Sequence, residues 1–355
     1  MSIFRIDMLP GREGDCLWIE YGDAAKPHRI LVDGGRPLAW KTLETRFAQL
    51  APDQRYFELL VLSHVDADHV EGLLRMLKAP DLAVSFKDVW FNGHKHLEKI
   101  ESLGAKQGEE FTDGIGQKGW AWNAAFDHKS VVIPETGELP VKTLSGGMRL
   151  TLLSPTWEKL EALSPVWKAE LRKAGLLGPE EDDSDSPGVE SLGALTIEEV
   201  EEAAASAFKP DTSEANGSSI CVLAEFDGRR VVLTGDAHAP LMTESLRKLR
   251  DGGPPTVLDA FKLSHHGSHG THTVELMNEI RSKRFLISTD GSRHKHPHLE
   301  AIARTVKHGG GDIELIFNYE TAHTSKWDVA KLKNHFGYST TYPKNDEAGM
   351  IRTEL

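Results

Sequence analysis

Apolar runs in the amino-terminal part of the chain are separated by glycine-rich and polar turns. The segments FRIDML, CLWIEYG and HRILVDGG each end in turn residues, which predicts three β-strands. The continuous apolar run 57–63 predicts a buried strand, and the apolar spacing over 70–78 predicts a helix directly after it. The same criteria predict a helix over 38–50 and a strand over 88–93.

The alternation of strands and helices returns in the second half of the chain. Strands are predicted at 149–154, 219–226, 231–235, 260–264, 284–289 and 312–318, and helices at 240–250, 273–281 and 298–307. Two stretches interrupt the pattern, an insertion at 94–140 and a charged insertion at 156–214. The middle of the second one, 178–190, is acidic and rich in Pro, Gly and Ser, so we expect a linker outside the core.

Composition narrows the class of protein. A chain of 355 residues with 39% hydrophobic residues can fill a substantial core. The net charge of −13 argues against a surface that binds nucleic acid by bulk electrostatics, but bound cations can still create a local site for anions. No apolar run approaches the ~20 residues of a membrane span, and the first residues lack a signal-peptide pattern.

The two cysteines, Cys16 and Cys221, both lie in apolar, strand-like segments. Two buried, reduced thiols are the favoured interpretation, and a disulfide between them is the alternative that the sequence leaves open. A cytoplasmic protein without a membrane partner is therefore expected.

Residue types that bind metals follow the ends of four predicted strands. The densest group is His64-Val-Asp-Ala-Asp-His69, and the others are Asp33, Asp236 and the turn 265–268. Strand ends that meet at one edge of a sheet bring such groups together from distant positions. A polar turn in which Asp68 caps the following helix is the alternative for 64–69, but capping does not require two histidines as well.

These motifs carry a family resemblance. HVDADH, followed by an acidic residue and Gly72, resembles the HxHxDH signature of the metallo-β-lactamase superfamily. It is most similar to the HxDxDH version in the hydrolase domain of the bacterial competence DNA-uptake channel family. The opening IDMLPGREGDCLWIE…ILVDGG and the later NGSSI, VVLTGD, KLSHHGS and KHPH are similar to that domain's motifs in the same order. Residues 94–215 have no recognised counterpart.

The resemblance implies a fold and a domain organisation. An α/β (α+β) protein is expected, with the four-layer αββα metallo-β-lactamase sandwich as a single domain over 1–355. Each half of the chain would contribute one sheet and its outer helices. The metal ligands would converge at one edge of the paired sheets.

The resemblance also implies two divalent metal ions, Zn or Mn. Asp68, His69 and His265 would bind one ion, and Asp236 would bridge to the second, which His64 also binds. Asp66 stands where most members have another histidine, and Asn216 stands where a third one usually lies. The second site is therefore richer in oxygen donors and is expected to bind a harder or more weakly held ion.

Further residues receive roles from this resemblance. Asp68 is expected to orient or deprotonate the attacking water, and His296 to reach the substrate or protonate its leaving group. His265 is favoured over His266 as the ligand, with His266 facing the substrate; the reverse assignment stays open. Contacts that support the metals or the substrate are expected from Asp33, Asn216, Ser268 and His298. Candidate rim residues are Lys87, His94, Lys95, His96, Arg293 and Lys295.

The leading functional hypothesis is a metal-dependent phosphodiesterase or nuclease that uses a metal-activated hydroxide. Its substrate would carry phosphate, as a nucleic acid or a nucleotide, and a protein partner would contact the insertions. One alternative is a hydrolase of carbon esters, thioesters or lactams, and a second is a non-catalytic metal-binding interaction module. The same fold serves many chemistries, so the sequence leaves the substrate and the oligomeric state open.

Overall fold

The alternating apolar residues of the first strands face two different layers. Ile6 and Ile19 point to the interior between two sheets, whereas Trp18 points outward against helices. The computed structural model describes residues 1–80, 84–97, 110–167, 169–170, 195–344 and 349–355. The predicted linker 178–190 lies outside these residues.

Within the described residues, the first sheet has six strands in the order β18-β1-β2-β3-β5-β7. Its strands are β1 (Ser2–Met8), β2 (Leu17–Asp23), β3 (Lys26–Val32), β5 (Leu59–Val61), β7 (Val89–Trp90) and β18 (Ile351–Glu354). The strands β3, β5 and β7 are parallel, so their carboxyl ends lie at one edge of the sheet. A short parallel pair, β4 (Tyr56–Phe57) and β6 (Ser85–Phe86), lies outside this sheet.

The second sheet has eight strands in the order β17-β16-β15-β13-β11-β10-β9-β8. They are β8 (Val141–Thr143), β9 (Arg149–Ser154), β10 (Cys221–Phe226), β11 (Arg229–Leu233), β13 (Ala260–Lys262), β15 (Arg284–Ile287), β16 (Ile313–Phe317) and β17 (Tyr338–Thr341). The Asp-Gly pair between the apolar runs 219–226 and 231–235 predicts a hairpin, which is present as β10 and β11. The strands of this sheet from β11 to β17 are parallel. A further parallel pair joins β12 (Thr256–Leu258) and β14 (Ile280–Ser282).

Amphipathic helices cover the outer face of each sheet. Those on the first sheet are α1 (Pro37–Gln49), α2 (Ala67–Lys78), α3 (Glu110–Lys118) and α4 (Trp157–Leu163). Those packed on the second are α5 (Ile197–Ala205), α7 (Ala239–Arg250), α8 (Val274–Asn278), α9 (Leu299–His308) and α11 (Ala330–Phe336). Two single-turn helices, α6 (Glu214–Gly217) and α10 (Ala322–Ser325), lie in loops.

Three apolar cores separate the four layers: one between the two sheets and one under each set of helices. The predicted αββα sandwich is therefore confirmed. Cys16 belongs to the core under the first helices and Cys221 to the core under the second, and both thiols are free and buried. No helix in the described ranges is both long and apolar enough to span a bilayer.

The carboxyl-terminal strand is where the structure departs from the expectation that each half contributes one sheet. The strand β18 comes from the last residues of the chain, but it pairs antiparallel with β1 in the first sheet. The pairing aligns Ile6 with Thr353 and Met8 with Ile351. The alternation of apolar and polar residues in β18 extends over only four residues, which is too short to predict the strand or its partner from the sequence.

Candidate metal centre

The site is built at the strand ends that face one edge of the sandwich. His64 follows β5, Asp33 follows β3, and Asp236 follows β11 of the opposite sheet. His265 and His266 follow β13, in a 3-10 turn over Ser264–Gly267. The two sheets thus contribute residues to the same cluster, as predicted from the strand ends.

Asp66 and Asp68 do not act as helix caps. The residue that precedes α2 is Asp66, and its side chain makes no capping hydrogen bond. Asp68 is in the first turn of α2, and its Oδ2 lies 3.2 Å from Nε2 of His266. The alternative interpretation of 64–69 as a capping turn therefore does not explain these carboxylates.

Asp33 fixes the orientation of His69 directly and that of His64 through Ser63. Its Oδ1 accepts a hydrogen bond from the Ser63 backbone N–H at 2.7 Å, and its Oδ2 accepts one from the Ser63 hydroxyl at 2.8 Å. The same Oδ2 is 2.9 Å from Nδ1 of His69, so the Nδ1–H of His69 donates to it. Nδ1 of His64 is 3.0 Å from the Ser63 hydroxyl. Because both Nδ1 atoms are held, both Nε2 atoms are directed to the other side.

Four imidazoles direct Nε2 at the carboxylate of Asp236. On one side, Nε2 of His69 and Nε2 of His266 lie 3.3 Å and 3.6 Å from Oδ1. On the other side, Nε2 of His64 and Nε2 of His265 lie 3.7 Å and 3.8 Å from Oδ2. Asp236 is therefore placed between two pairs of nitrogen donors, which is the arrangement that a bridging carboxylate needs.

The side of Oδ1 is deeply buried. Asp15, His69, Asp236 and His266 form a group whose ligand atoms lie within 4.8 Å of one another. Nδ1 of His266 is 3.0 Å from the Ser288 carbonyl oxygen, to which its N–H donates, and 3.3 Å from Oδ1 of Asp15. Asp15 also pairs with the buried ammonium of Lys262 at 2.9 Å. The Lys262–Asp15 pair thus lies directly behind His266 and orients its ring.

Sequence reasoning missed Asp15 and Lys262 as parts of the site. The signal was available, since Asp15 ends the Gly-Arg-Glu-Gly-Asp turn and Lys262 precedes the His-His pair by two residues. What the sequence could not show is that β13 and the loop after β1 lie side by side. That contact joins positions about 250 residues apart.

The side of Oδ2 is more open and richer in oxygen. Oδ2 of Asp66, whose side chain is 31% exposed, lies 3.5 Å from Nε2 of His64. Nδ1–H of His265 donates to Asp211 at 2.9 Å, and Asn216 also donates to that carboxylate at 2.7 Å. Asn216 therefore contacts Asp211 and His265, and it lies behind the imidazole rather than among the donors around Asp236. Asp211, which comes from the loop before α6, was not singled out from the sequence.

The two adjacent histidines occupy the two sides of Asp236. His265 and His266 both have left-handed backbones, with φ of 47° and 53°. Their rings are 6.0 Å apart and nearly perpendicular. As a result, His266 joins Asp68 and His69, while His265 joins His64 and Asp211.

The buried carboxylates of the cluster favour positive charge at its centre. Burial favours the neutral forms of Asp68 and Asp236, but the adjacent imidazoles outweigh this effect and hold both pKa values well below the usual range. Conversely, burial opposes charge on His266, but Asp236 and Asp15 raise its pKa to about 10. The buried carboxylates thus stabilise cations strongly.

The donor set fits divalent metal ions. Among the described residues, Nε2 of His64 and Oδ1 of Asp236 are buried without a hydrogen-bond partner. Buried polar atoms rarely stay unpaired in native proteins, so these atoms point to ligands of another kind. Nitrogen and carboxylate donors together form a set that suits a divalent metal ion.

A cleft of about 550 Å³ opens beside this cluster. His265 and His296 line it next to the metal centre, and Arg293 and Lys295 line it further out. The ring of His296 is 5.0 Å from that of His265, and burial together with the surrounding histidines holds its pKa well below the usual value. The other lining residues are Ser268, Gly291, Ser292, His294, His298 and His323.

Two predicted contact residues have local structural roles as well. The Ser268 hydroxyl accepts a hydrogen bond from the Gly270 backbone N–H, and Nδ1 of His298 accepts one from the His269 backbone N–H. His298 directly precedes α9, which begins two residues after Pro297. Both side chains therefore also stabilise the turns that form the wall of the cleft.

The remaining rim candidates do not line this cleft. Lys87 pairs with Glu58 and donates to Ser145. Lys95 and His96 line a different cleft, and the ring of His94 packs 6.2 Å from that of Trp167. Of the predicted basic rim, only Arg293 and Lys295 line the cleft beside the metal centre.

The chain has low sequence identity to the known proteins that it resembles. No family model matches the chain. The chain is 26% identical to ComE operon protein 3 of Bacillus subtilis (strain 168) over 145 residues, which are 41% of this chain and 17% of that protein. The match thus spans less than a fifth of the relative's length.

Among solved structures, the chain is similar to the metallo-beta-lactamase fold protein YhfI from Bacillus subtilis. The identity is 12% and the TM-score 0.42, over 99% of this chain and 100% of the other. It is also similar to CmlA, a diiron beta-hydroxylase from Streptomyces venezuelae, with 13% identity and a TM-score of 0.40 over 100% of this chain and 54% of the other. The sequence match to ComE operon protein 3 agrees with the resemblance predicted from the motifs.

Proposed function

We propose that the protein is a dinuclear metal-dependent hydrolase that cleaves phosphodiesters. The observation that carries this proposal is the cation-lined cleft beside the candidate metal centre. Arg293 and Lys295 line it together with five histidines, and none of the described residues that line it carries a carboxylate. Such a surface suits the negative charge of a phosphodiester better than a neutral ester or lactam.

Two sets of ligands follow from the two sides of Asp236. Asp68, His69 and His266 would hold one ion together with Oδ1 of Asp236. His64, Asp66 and His265 would hold the other together with Oδ2. His265 would then take the place of the histidine that the family usually has at the position of Asn216. Asp211 orients the His265 ring by accepting a hydrogen bond from its Nδ1–H.

Bound divalent ions at such a site supply a water molecule that is ionised near neutral pH. The protein's own part is to position groups around the reacting atoms. Asp68 would accept the proton of the attacking water, because its carboxylate lies in the cluster 3.2 Å from Nε2 of His266 and is still 20% exposed. His296 lies at the inner wall of the cleft and would contact the phosphate or its leaving group.

A screen of substrates against metals tests this proposal. The purified protein would be assayed with Mn²⁺, Mg²⁺ and Zn²⁺ on a bis-aryl phosphodiester, a carboxylic ester and a lactam reporter. We expect turnover of the phosphodiester, and its loss by a factor on the order of 10³ or more in Asp236→Ala, whose carboxylate would bridge both ions. Asp259→Ala is the control and should retain activity, because Asp259 follows β12, pairs with Lys283 and takes no part in the metal cluster.

The same screen separates the alternatives. Turnover of the lactam or the carboxylic ester without any phosphodiester turnover would replace the proposed substrate class. Metal binding without turnover of any substrate would favour the non-catalytic interaction module.

A further inference from the structure

A second cleft, of about 800 Å³, includes Lys142 of β8, the edge strand of the second sheet, in its wall. Its size is within the range of about 300–1,000 Å³ that is usual for ligand pockets. Part of its wall comes from the insertion 94–140, which has no counterpart in the motif resemblance. Its lining residues are Lys95, His96, Phe126, Asp127, His128, Lys129, Ser130, Val132, Pro140, Lys142 and Trp157.

The charge of this cleft is opposite to that of the whole chain. Among the described residues that line it are three lysines, Lys95, Lys129 and Lys142, and one carboxylate, that of Asp127. The chain as a whole carries −13. No ion pair of Lys129 or Lys142 occurs among the described residues, so their charges face the cleft and the solvent. A local basic surface on an acidic protein favours an anionic ligand.

Flat aromatic rings lie beside these ammonium groups. The ring of Phe126 is fixed by an edge contact with Trp90 at 5.0 Å, and Nζ of Lys142 lies 4.6 Å from its centroid. Nζ of Lys95 lies 3.8 Å from the ring of Trp122, and Trp157 lines the cleft itself. Aromatic faces combined with cations bind a base and its phosphate at the same time.

A chain of contacts links the wall of this cleft to the metal centre. The parallel strands β5 and β7 end at one edge, and they lead to His64 and to the Lys95–His96 turn respectively. On the other wall, α4 begins at Trp157 in the cleft. Two residues later, Nζ of Lys159 lies 3.4 Å from Nδ1 of His238, whose Nε2 is 3.9 Å from Asp211.

We propose that this cleft binds a nucleotide unit of a single-stranded nucleic acid while the strand is cleaved at the metal centre. The inference rests on the proposed function and extends it to a substrate class. A single strand is favoured because its bases expose the faces that stack on aromatic rings, whereas a duplex hides them.

Binding and turnover would be measured separately. Affinity for a fluorescent oligothymidylate would be measured by anisotropy in the Asp236→Ala background, where cleavage is blocked. The test variant is Lys129→Gln with Lys142→Gln, and the control is Lys26→Gln with Lys331→Gln, which removes the same charge from exposed positions on β3 and α11. We expect the test variant to bind at least about tenfold more weakly and the control to bind as before.

The salt dependence gives a second readout. The slope of log K against log salt should fall by about 1.4 in the test variant, since each phosphate contact in a single strand contributes about 0.7. Hydrolysis of the bis-aryl phosphodiester, which is too small to reach both sites, should be unchanged. Equal oligonucleotide affinity in the test variant and its parent would overturn the inference.

The role of the ring is tested with Phe126→Leu, which keeps apolar contact with Trp90. It should weaken oligothymidylate binding and leave the binding of an abasic strand of equal length unaffected. Equal binding of both strands by the unaltered cleft would overturn the nucleotide assignment in favour of phosphate alone. If oligothymidylate binding depends on the lysines but no phosphodiester is hydrolysed, the proposed function would be overturned. The assignment of a nucleotide as the ligand of this cleft would still hold.

Discussion

At the residue scale, backbone conformation gives the adjacent residues His265 and His266 different positions in the cluster. Left-handed φ values at both positions turn their rings to opposite sides of Asp236. His266 is 1% exposed and held by Asp15 and the Ser288 carbonyl, whereas His265 is 23% exposed and held by Asp211. The sequence-based preference for His265 as the partner of Asp68 and His69 thus differs from the geometry, in which His266 has that place.

This difference gives a test by metal titration. His266→Ala should weaken the tighter of two binding phases for Zn²⁺ or Mn²⁺ by on the order of 100-fold, because it removes a buried donor beside Asp68 and His69. His265→Ala should affect the weaker phase and leave the tighter one in place. Calorimetric titration of both variants measures the two phases. Loss of the tighter phase in His265→Ala alone would restore the assignment expected from the sequence.

At the scale of elements, the loop between β1 and β2 is pressed against the start of α2. A Cβ atom at Gly14 would lie 1.7 Å from the backbone oxygen of Asp68, which no relaxation of a side chain relieves. The Gly14 carbonyl also accepts a hydrogen bond from Ser288 of the second sheet. The glycine therefore lets three separate segments meet behind the cluster.

Gly14→Ala should push α2 away from the loop and shift Asp68. We expect a loss of about 1–3 kcal/mol in the free energy of unfolding, together with weaker metal binding. The control is Gly116→Ala, on an exposed turn of α3 where a Cβ atom meets nothing within 4 Å. That change should stabilise the helix slightly. Denaturant unfolding and metal titration of both variants measure these effects, and normal behaviour of Gly14→Ala would contradict the close approach.

At the scale of the whole molecule, the last strand closes the first sheet onto the start of the chain. Asp7 of β1 accepts hydrogen bonds from Arg352 of β18 at 2.7 and 2.8 Å, and it also pairs with Arg46 of α1. Burial opposes charge on Asp7, but the two guanidinium groups outweigh it and lower its pKa. A single carboxylate thus joins both ends of the chain and the first helix.

Asp7→Asn should destabilise the fold by about 1–3 kcal/mol at pH 7, because the partly buried Arg46 and the more exposed Arg352 lose their charged partner. A carboxylate with a lowered pKa contributes stability above its unfolded value of 3.8, and this contribution is lost as the pH falls below that value. The difference from the parent protein should therefore shrink between pH 5 and pH 3. Thermal unfolding across this range, with the exposed Asp53→Asn as control, measures it; a constant difference would contradict the role of the charge.

Several features of this protein followed from local sequence. The period of two in β1 to β3, the spacing of apolar residues in α2 and α9, and the Asp-Gly hairpin between β10 and β11 predicted elements that the structure contains. The same strand ends predicted that His64, His69 and Asp236 would meet, since parallel strands present their carboxyl ends at one edge. These features depend on neighbours within a few residues, which a sequence displays directly.

Other features were decided only by the tertiary structure. Asp15, Lys262 and Asp211 joined the centre through contacts between distant segments, and no local pattern marks such a contact. Which of His265 and His266 lies beside Asp68 and His69 depended on the left-handed backbone conformation of both residues. Two adjacent histidines in a sequence do not show which side each ring faces. The short strand β18 formed because β1 offered an unpaired edge, and four residues hold too little periodicity to predict such pairing by themselves.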